Sequence, residues 1–547
     1  MKLWTILIKG FLDTPWDKAR TQLSQAKACR KKAFRNCFLK FFISNLIFEL
    51  TFRQVCAILI LSHCMHTITM RKGGRTMVNN TVRIESIEIK NFKNVGYGHL
   101  DFEDSKNGGK ASILGLYGQN GSGKTALIDA LELLRLALSG KAIPAYFADY
   151  INVDSEYATL KYGFKVSNQK TDCIYSVFYE VSLCRDIDNT EHNTEQPSVD
   201  EHYKAVLFNE VLSYSYECGD KKVRLSPVID TRTDEDVVFV PATKYRLIVG
   251  KDKESLTGLL VAKQLASATS RSFIFSRELL NATRKSCKDD CHLSLIESLV
   301  FFGNFQLFVI NTTNSGLISM NALPLAFNYA ENGKASIGNI LIKLNEPSLI
   351  PEDALNIVHK VIDCMNVVLK QLVPGLTISV KDMGSQLFSN GAPGYRIQLM
   401  SNKNSREIPL QYESEGIKKL ISILQLLIVI YNKPSMTVAI DELDSGVFEY
   451  LLGEVLRIIA EKGKGQLIFT SHNLRPLETL DKSFIAFTTT NPQNRYIRMS
   501  NVKTTNNLRD FYYRDIVLGE QSEPVYEPTN NSEIAMAFRE AGNPDAT

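Results

Sequence analysis

From Val82 the chain alternates apolar and polar residues, Val-Arg-Ile-Glu-Ser-Ile-Glu-Ile-Lys, the period of two that predicts a half-buried strand over 82–90. Gly96 and Gly98 then predict a turn into a second alternating run at 99–102, which makes an antiparallel pair the natural reading. A third apolar run, Ala111-Ser-Ile-Leu-Gly-Leu-Tyr117, leads directly into Gly118-Gln-Asn-Gly-Ser-Gly-Lys-Thr125. Behind that loop Leu127, Ile128, Ala130, Leu131, Leu134 and Leu138 recur at helical spacing, so the segment reads strand, glycine loop, helix. Residues 157–183 and 203–216 read as further strands, joined by an acidic, solvated hairpin connection at 185–201. From about 254 to 372 the pattern turns largely helical, with neither sustained heptads nor a fixed repeat, and predicts a helical insertion. Alternation returns at 376–400, a helix is predicted over about 416–431, and short apolar strands over 436–440, 467–470 and 483–487.

Composition adds limits. Across 547 residues, 44% hydrophobic and 22% charged side chains exclude wholesale disorder and allow roughly two to four domains. The formal charge of +4 hides a break: residues 1–76 carry 14 basic and 3 acidic side chains, which leaves 77–547 at −7. That first segment reads either as a basic arm for nucleic acid or an anionic membrane surface, or as sequence upstream of a start at Met70 or Met77; the second is the expectation, and the segment stands outside the fold argument. Its apolar tract, Cys37–Cys64, is interrupted by Lys40, Glu49 and Arg53 and falls short of the ~18 apolar residues a span needs, so no membrane partner is expected. Lys9, Asp13 and Asp17 break the stretch that a signal peptide would require. Ten scattered cysteines favour reduced thiols and a cytoplasmic location. The organisation expected is an extension at 1–76, an N-terminal lobe at 77–250, the insertion at 251–375, a C-terminal lobe at 376–504 and an acidic, partly mobile tail at 505–547.

The loop Gly118-x-x-x-x-Gly123-Lys124-Thr125 is a phosphate-binding pattern. Gly118, Gly121 and Gly123, with Asn120 and Ser122 between them, let successive backbone N–H groups face the phosphates, and the following helix adds its N-terminal dipole. Lys124 would reach the β- and γ-phosphates and Thr125 would ligate Mg²⁺. The bland alternative, a chance glycine turn, does not require the strand before and the helix after. Met436-Thr-Val-Ala-Ile-Asp441-Glu442 is an apolar strand ending in two carboxylates: Asp441 could hold Mg²⁺ and Glu442 could orient or deprotonate an attacking water. Gln466–Thr470 is a second such strand, ending at Ser471-His472, whose imidazole could contact the γ-phosphate. Ser414 and Gly416 open an apolar helix and read either as a second anion site or as an ordinary serine cap. Cys287-x-x-x-Cys291-His292 lacks a second ligand pair, which favours an unpaired-thiol loop over a metal site.

Together these residues resemble the ABC-type ATPase heads of the SMC, RecF and OLD-like group, over about 82–135 and 376–490. The resemblance implies an α/β fold with an antiparallel β subdomain and a helical insertion, ATP and Mg²⁺ as cofactors, Ser414-Glu-Gly416 as a degenerate signature, Asp444 as the D-loop residue, and Glu442 and His472 in catalysis. It also implies that two heads sandwich ATP, hence a homodimer or larger assembly, and that Lys93 of Asn91-Phe-Lys lies near the nucleotide. No glutamine is assigned to the Q-loop of that group. Tyr117-Gly-Gln-Asn-Gly-Ser-Gly-Lys-Thr125 and Glu413-Ser-Glu-Gly-Ile-Lys-Lys419 are most similar to the Septu antiphage ATPases, including retron-linked forms. That likeness implies a separate HNH nuclease as partner, with a reverse transcriptase and its nucleic acid product in the retron setting. The alternative is a RecF-like repair or recombination ATPase that binds DNA directly, which the −7 of residues 77–547 mildly disfavours.

Overall fold

A computed structural model describes residues 80–102, 112–168, 173–187, 203–219, 221–251, 253–311, 321–331, 334–389, 391–404, 406–499, 507–519 and 521–542. The chain divides into two units, Met1–Met65 and His66–Thr547, and the basic segment 1–76 lies outside the described residues.

The first elements are β1 (Asn80–Phe92), β2 (Val95–Asp101), β3 (Ser112–Tyr117), α1 (Lys124–Leu138), β4 (Tyr157–Asn168), β5 (Cys173–Ile187), β6 (Tyr203–Cys218) and β7 (Lys221–Asp230). Then come α2 (Ala242–Ile248), α3 (Lys253–Ala268), α4 (Arg277–Ser286), α5 (Asp290–Phe305), β8 (Leu307–Ile310), β9 (Ala322–Glu331), β10 (Lys334–Lys343), β11 (Ser348–Pro351) and α6 (Glu352–Leu372). The last part holds β12 (Leu376–Leu387), β13 (Pro393–Lys403), β14 (Arg406–Pro409), α7 (Glu415–Asn432), β15 (Thr437–Ile440), α8 (Glu449–Lys462), β16 (Gln466–Thr470), α9 (Arg475–Thr479), β17 (Ile485–Thr488), β18 (Tyr496–Ile497), α10 (Leu508–Leu518) and α11 (Asn531–Gly542).

Two six-stranded sheets organise this unit. One is antiparallel, in the order β2-β1-β4-β5-β6-β7, with Ile87 opposite Leu100 and Phe92 opposite Val95. The antiparallel pair is the one expected, but the chain turns at Lys93-Asn94, and Gly96 and Gly98 lie inside β2, where a Cβ would crowd Gln493 and Tyr496. The other runs β18-β17-β3-β16-β15-β8 and is parallel from β17 to β8. A parallel sheet is covered on both faces, which is why β3, β15 and β16 read as continuous apolar runs rather than alternations. In β3, Leu114 and Leu116 join the core shared with α1 and the antiparallel sheet, while Ile113 and Tyr117 face the second core beneath α7 and α8. Each large side chain buried this way contributes about 1.5–3 kcal/mol. Helix α1 lies between the sheets, with only Thr125, Glu132 and Arg135 among its residues escaping full burial. The Tyr162 hydroxyl of β4 donates to its Ala130 carbonyl at 2.7 Å. Gln466 stitches the sheets together: its amide donates to the Ile84 carbonyl at 2.9 Å and accepts the Ile84 N–H at 2.9 Å.

Three further expectations change. The segment 254–372 holds helices α3–α6 but also strands; β8 is short and apolar, and only its parallel partner β15 defines it as an edge of the core sheet. The acidic stretch after 505 carries an apolar stripe that its net charge conceals: Leu508, Phe511, Tyr512 and Val525 are buried in the second core. Cys184, Cys287, Cys291 and Cys364 are free thiols, whereas Cys173 is disulfide-bonded, so a fully reduced set does not hold. Among the described residues no helix is long and apolar enough to cross a membrane.

Candidate nucleotide site

The C-terminal ends of β3, β15 and β16 are neighbours in the parallel sheet, the edge at which α/β folds bind ligands. β3 releases the chain into Gly118, whose φ is 148° and where a Cβ would stand 1.8 Å from Thr488 Oγ1. Gly121 and Gly123 also hold positive φ, and Gly123 is the left-handed residue from which α1 starts. Asn120 and Gly121 are exposed at the loop tip, Ser122 is buried against Thr488, and Thr125 is partly exposed in the first helical turn. Segments far away in sequence brace this loop: Asn94 donates its amide to the Gly121 carbonyl, and the Tyr496 hydroxyl donates to the Gly123 carbonyl at 3.0 Å.

Lys124 is folded back on its own loop, donating to the carbonyls of Gly118 at 2.7 Å and Gln119 at 2.9 Å. Burial pulls its ammonium down to about 8, opposed by the charges of Asp441, Glu442 and Asp444. A phosphate on Lys124 favours the charged form, so binding of ATP above pH ~8 is expected to take up close to one proton, and affinity to fall by up to about tenfold per pH unit there. Calorimetric titration at pH 9 in buffers of different ionisation enthalpy measures this directly; zero uptake would separate Lys124 from the phosphates.

Asp441, 1% exposed, follows β15. Its Oδ1 accepts from Thr470 Oγ1 at 2.5 Å, while its Oδ2 is buried with no hydrogen-bond partner among the described residues. An unsatisfied buried carboxylate oxygen beside a phosphate loop suits a Mg²⁺ ion, which Asp441 and the Thr125 hydroxyl would hold. Glu442 follows with a φ of 47°, left-handed for a non-glycine residue, and its N–H donates to Thr470 Oγ1 at 2.8 Å. His472 is exposed beyond β16; its N–H and that of Asn473 donate to Asp444 Oδ2 at 3.1 and 2.9 Å, so Asp444 holds the turn that presents the imidazole.

Not every expected residue joins this cluster. Lys93 ion-pairs with Asp129 of α1 and lies 3.8 Å over the Tyr150 ring, so in this structure it is engaged on the flank of the loop. Ser414 caps α7, accepting the Ile417 N–H at 3.4 Å, and Gly416 packs on the turn after β15, where a Cβ would stand 1.9 Å from the Gly446 carbonyl oxygen. Cys287 donates to the Asp289 carbonyl at 3.4 Å and His292 Nδ1 meets the Tyr214 hydroxyl at 3.0 Å; among the described residues no group of three or more His, Cys, Asp or Glu could hold a metal. Thr470 and Lys419 were not singled out from sequence. A polar residue closing an apolar strand beside Asp441 is the signal that points to Thr470; Lys419 has none, because its partner is a backbone carbonyl.

A parallel sheet whose central strand feeds a glycine loop and helix, with an acidic strand end beside it, is a P-loop nucleotide-binding fold, and the antiparallel sheet on the other side of that helix is the subdomain that the resemblance to ABC-type ATPase heads implies. An AAA domain family model matches residues 86–213, which include the whole phosphate loop. Among solved structures the chain is similar to an SMC head bound to the C-terminal winged-helix domain of ScpA (14% identity, TM-score 0.35, covering 76% of this chain and 98% of that one). It is also similar to the SMC head domain from Thermotoga maritima (14%, 0.31, 76% and 99%) and to the recombination mediator protein RecF–ATPrS of the RecFOR pathway (12%, 0.32, 76% and 98%). Superpositions this loose carry no argument beyond the topology described above. No curated protein matches the chain.

Proposed function

We propose that the protein binds and hydrolyses ATP, and that it works as a homodimer or larger assembly controlling a separate nuclease in antiphage defence. The observation that supports ATP chemistry is the convergence of Lys124, Asp441 and Glu442 on one sheet edge, with Thr470 bridging the two acids. Lys124 leaves its loop carbonyls for the β- and γ-phosphates, the loop amides cradle them, and Thr125 and Asp441 hold Mg²⁺. When bound, Mg²⁺ neutralises charge on the phosphates. Glu442 takes the proton of the attacking water, and His472 lies at the γ-phosphate.

The nuclease role rests on the likeness of the loop and signature to Septu ATPases and on the net −7 of residues 77–547. The partner proposed is of HNH type, in the cytoplasm, with a reverse transcriptase and its nucleic acid product in a retron setting. Co-purification with the products of neighbouring genes, followed by nuclease assay with and without ATP, tests this. A captured nuclease whose activity changes with ATP is the expected result. Tight ATP-dependent DNA binding with no partner would replace this reading with the RecF-like one.

A further inference from the structure

Lys419 lies on α7, five residues beyond the cap Ser414, and is 4% exposed. Among the described residues its ammonium forms no ion pair; it donates instead to the backbone carbonyl of Glu442. On the other side of the same residue the Glu442 N–H donates to Thr470 Oγ1 at 2.8 Å. Glu442 is thus held from both ends of its backbone in a left-handed conformation, φ 47°, that a glutamate rarely adopts unaided. Burial penalises the Lys419 charge, and Asp444, Glu442 and Asp441 offset that penalty. An ammonium kept in such a place, with three carboxylates around it and a peptide oxygen as its partner, is suited to fixing that peptide. A second contact joins the same helix to the same loop: Gly416 packs so closely on Gly446 that a Cβ would meet its carbonyl oxygen at 1.9 Å.

We infer that Lys419 is a positioning residue for ATP hydrolysis, holding the Glu442 peptide so that its carboxylate is aimed, and coupling that aim to the helix that begins at Ser414. The inference rests on the role proposed above for Glu442. A shift of α7 at its exposed N-terminus is carried to Glu442 through Lys419 and to the 444–447 turn through Gly416, because a helix moves as a rigid body over a turn and a half. The base and the signature end of one head are then mechanically one unit.

The test compares wild type, Lys419→Met and Lys419→Arg, each alone and with Glu442→Gln, by steady-state ATPase and by binding of a fluorescent ATP analogue. Lys419→Met is expected to lower kcat about 10- to 100-fold, as misplacement of a reacting group does, with nucleotide affinity within about twofold of wild type. Lys419→Arg, which keeps a buried donor and charge, is expected to recover most of the rate. In the Glu442→Gln background Lys419→Met is expected to cost nothing further, because its effect passes through Glu442. An unchanged kcat, a loss of affinity equal to the loss of rate, an additive loss in the double variant, or unfolding of both Lys419 variants would each overturn the inference while leaving Glu442 as the base. Absence of hydrolysis in wild type would overturn the reading of the site itself and this inference with it.

Discussion

Glu442→Gln is expected to lower kcat for ATP by about 10²- to 10⁴-fold, the contribution of a positioned general base, while ATP still binds. Glutamine keeps the size of the side chain and the backbone contacts to Thr470 and Lys419, so the left-handed turn survives and only the proton acceptor is lost. Binding is expected to be untouched because the phosphate contacts proposed above fall to the loop and Lys124, not to Glu442. If two heads close on ATP, the variant accumulates as the closed dimer, which size-exclusion chromatography with and without ATP detects. Hydrolysis at the wild-type rate in Glu442→Gln would remove this residue from the chemistry and move attention to His472.

Lys124→Met is expected to act on binding instead, weakening ATP by roughly 10²- to 10³-fold, the usual cost of removing one partner of a desolvated charge pair. The methionine fills most of the space that the buried lysine stem occupies, so the core between the two sheets persists and thermal stability changes little. Its removal also frees the carbonyls of Gly118 and Gln119, which Lys124 satisfies at 2.7 and 2.9 Å before nucleotide arrives. Calorimetric titration of ATP checks the prediction, and the proton uptake expected above pH ~8 should vanish in the same variant. ATP affinity unaltered by Lys124→Met would show that the glycine loop is structural only.

The parts of the fold that were legible in the sequence share one property: their partners are near in the chain. β1 and β2 meet across a turn of a few residues, and the loop 118–125 is bounded by the strand and helix that define it. The strand β8 was not legible, because four apolar residues after a long helical run carry no period of their own. The buried stripe of α10 was masked for a different reason: counting charge over 505–547 averages a face that packs with one that does not. Lys93 shows the limit at the site, since its pairing with Asp129 depends on how α1 lies against the β2 turn.

By itself the sequence determined the glycine loop, its lysine and threonine, the paired acids after β15 and the histidine after β16, because each is a local pattern of residue types whose chemistry depends on neighbours in the chain. Only the tertiary structure decided that these strand ends adjoin, that Thr470 bridges Asp441 and Glu442, and that Lys419 holds the Glu442 carbonyl. The contacts that brace the loop and join the sheets span 366 residues from Ser122 to Thr488, 401 from Asn94 to Arg495 and 382 from Ile84 to Gln466. Hydrogen bonds of that reach, mostly to backbone atoms that every residue possesses, leave no mark in residue type; they exist only once burial of both sheet faces has fixed the strands in order.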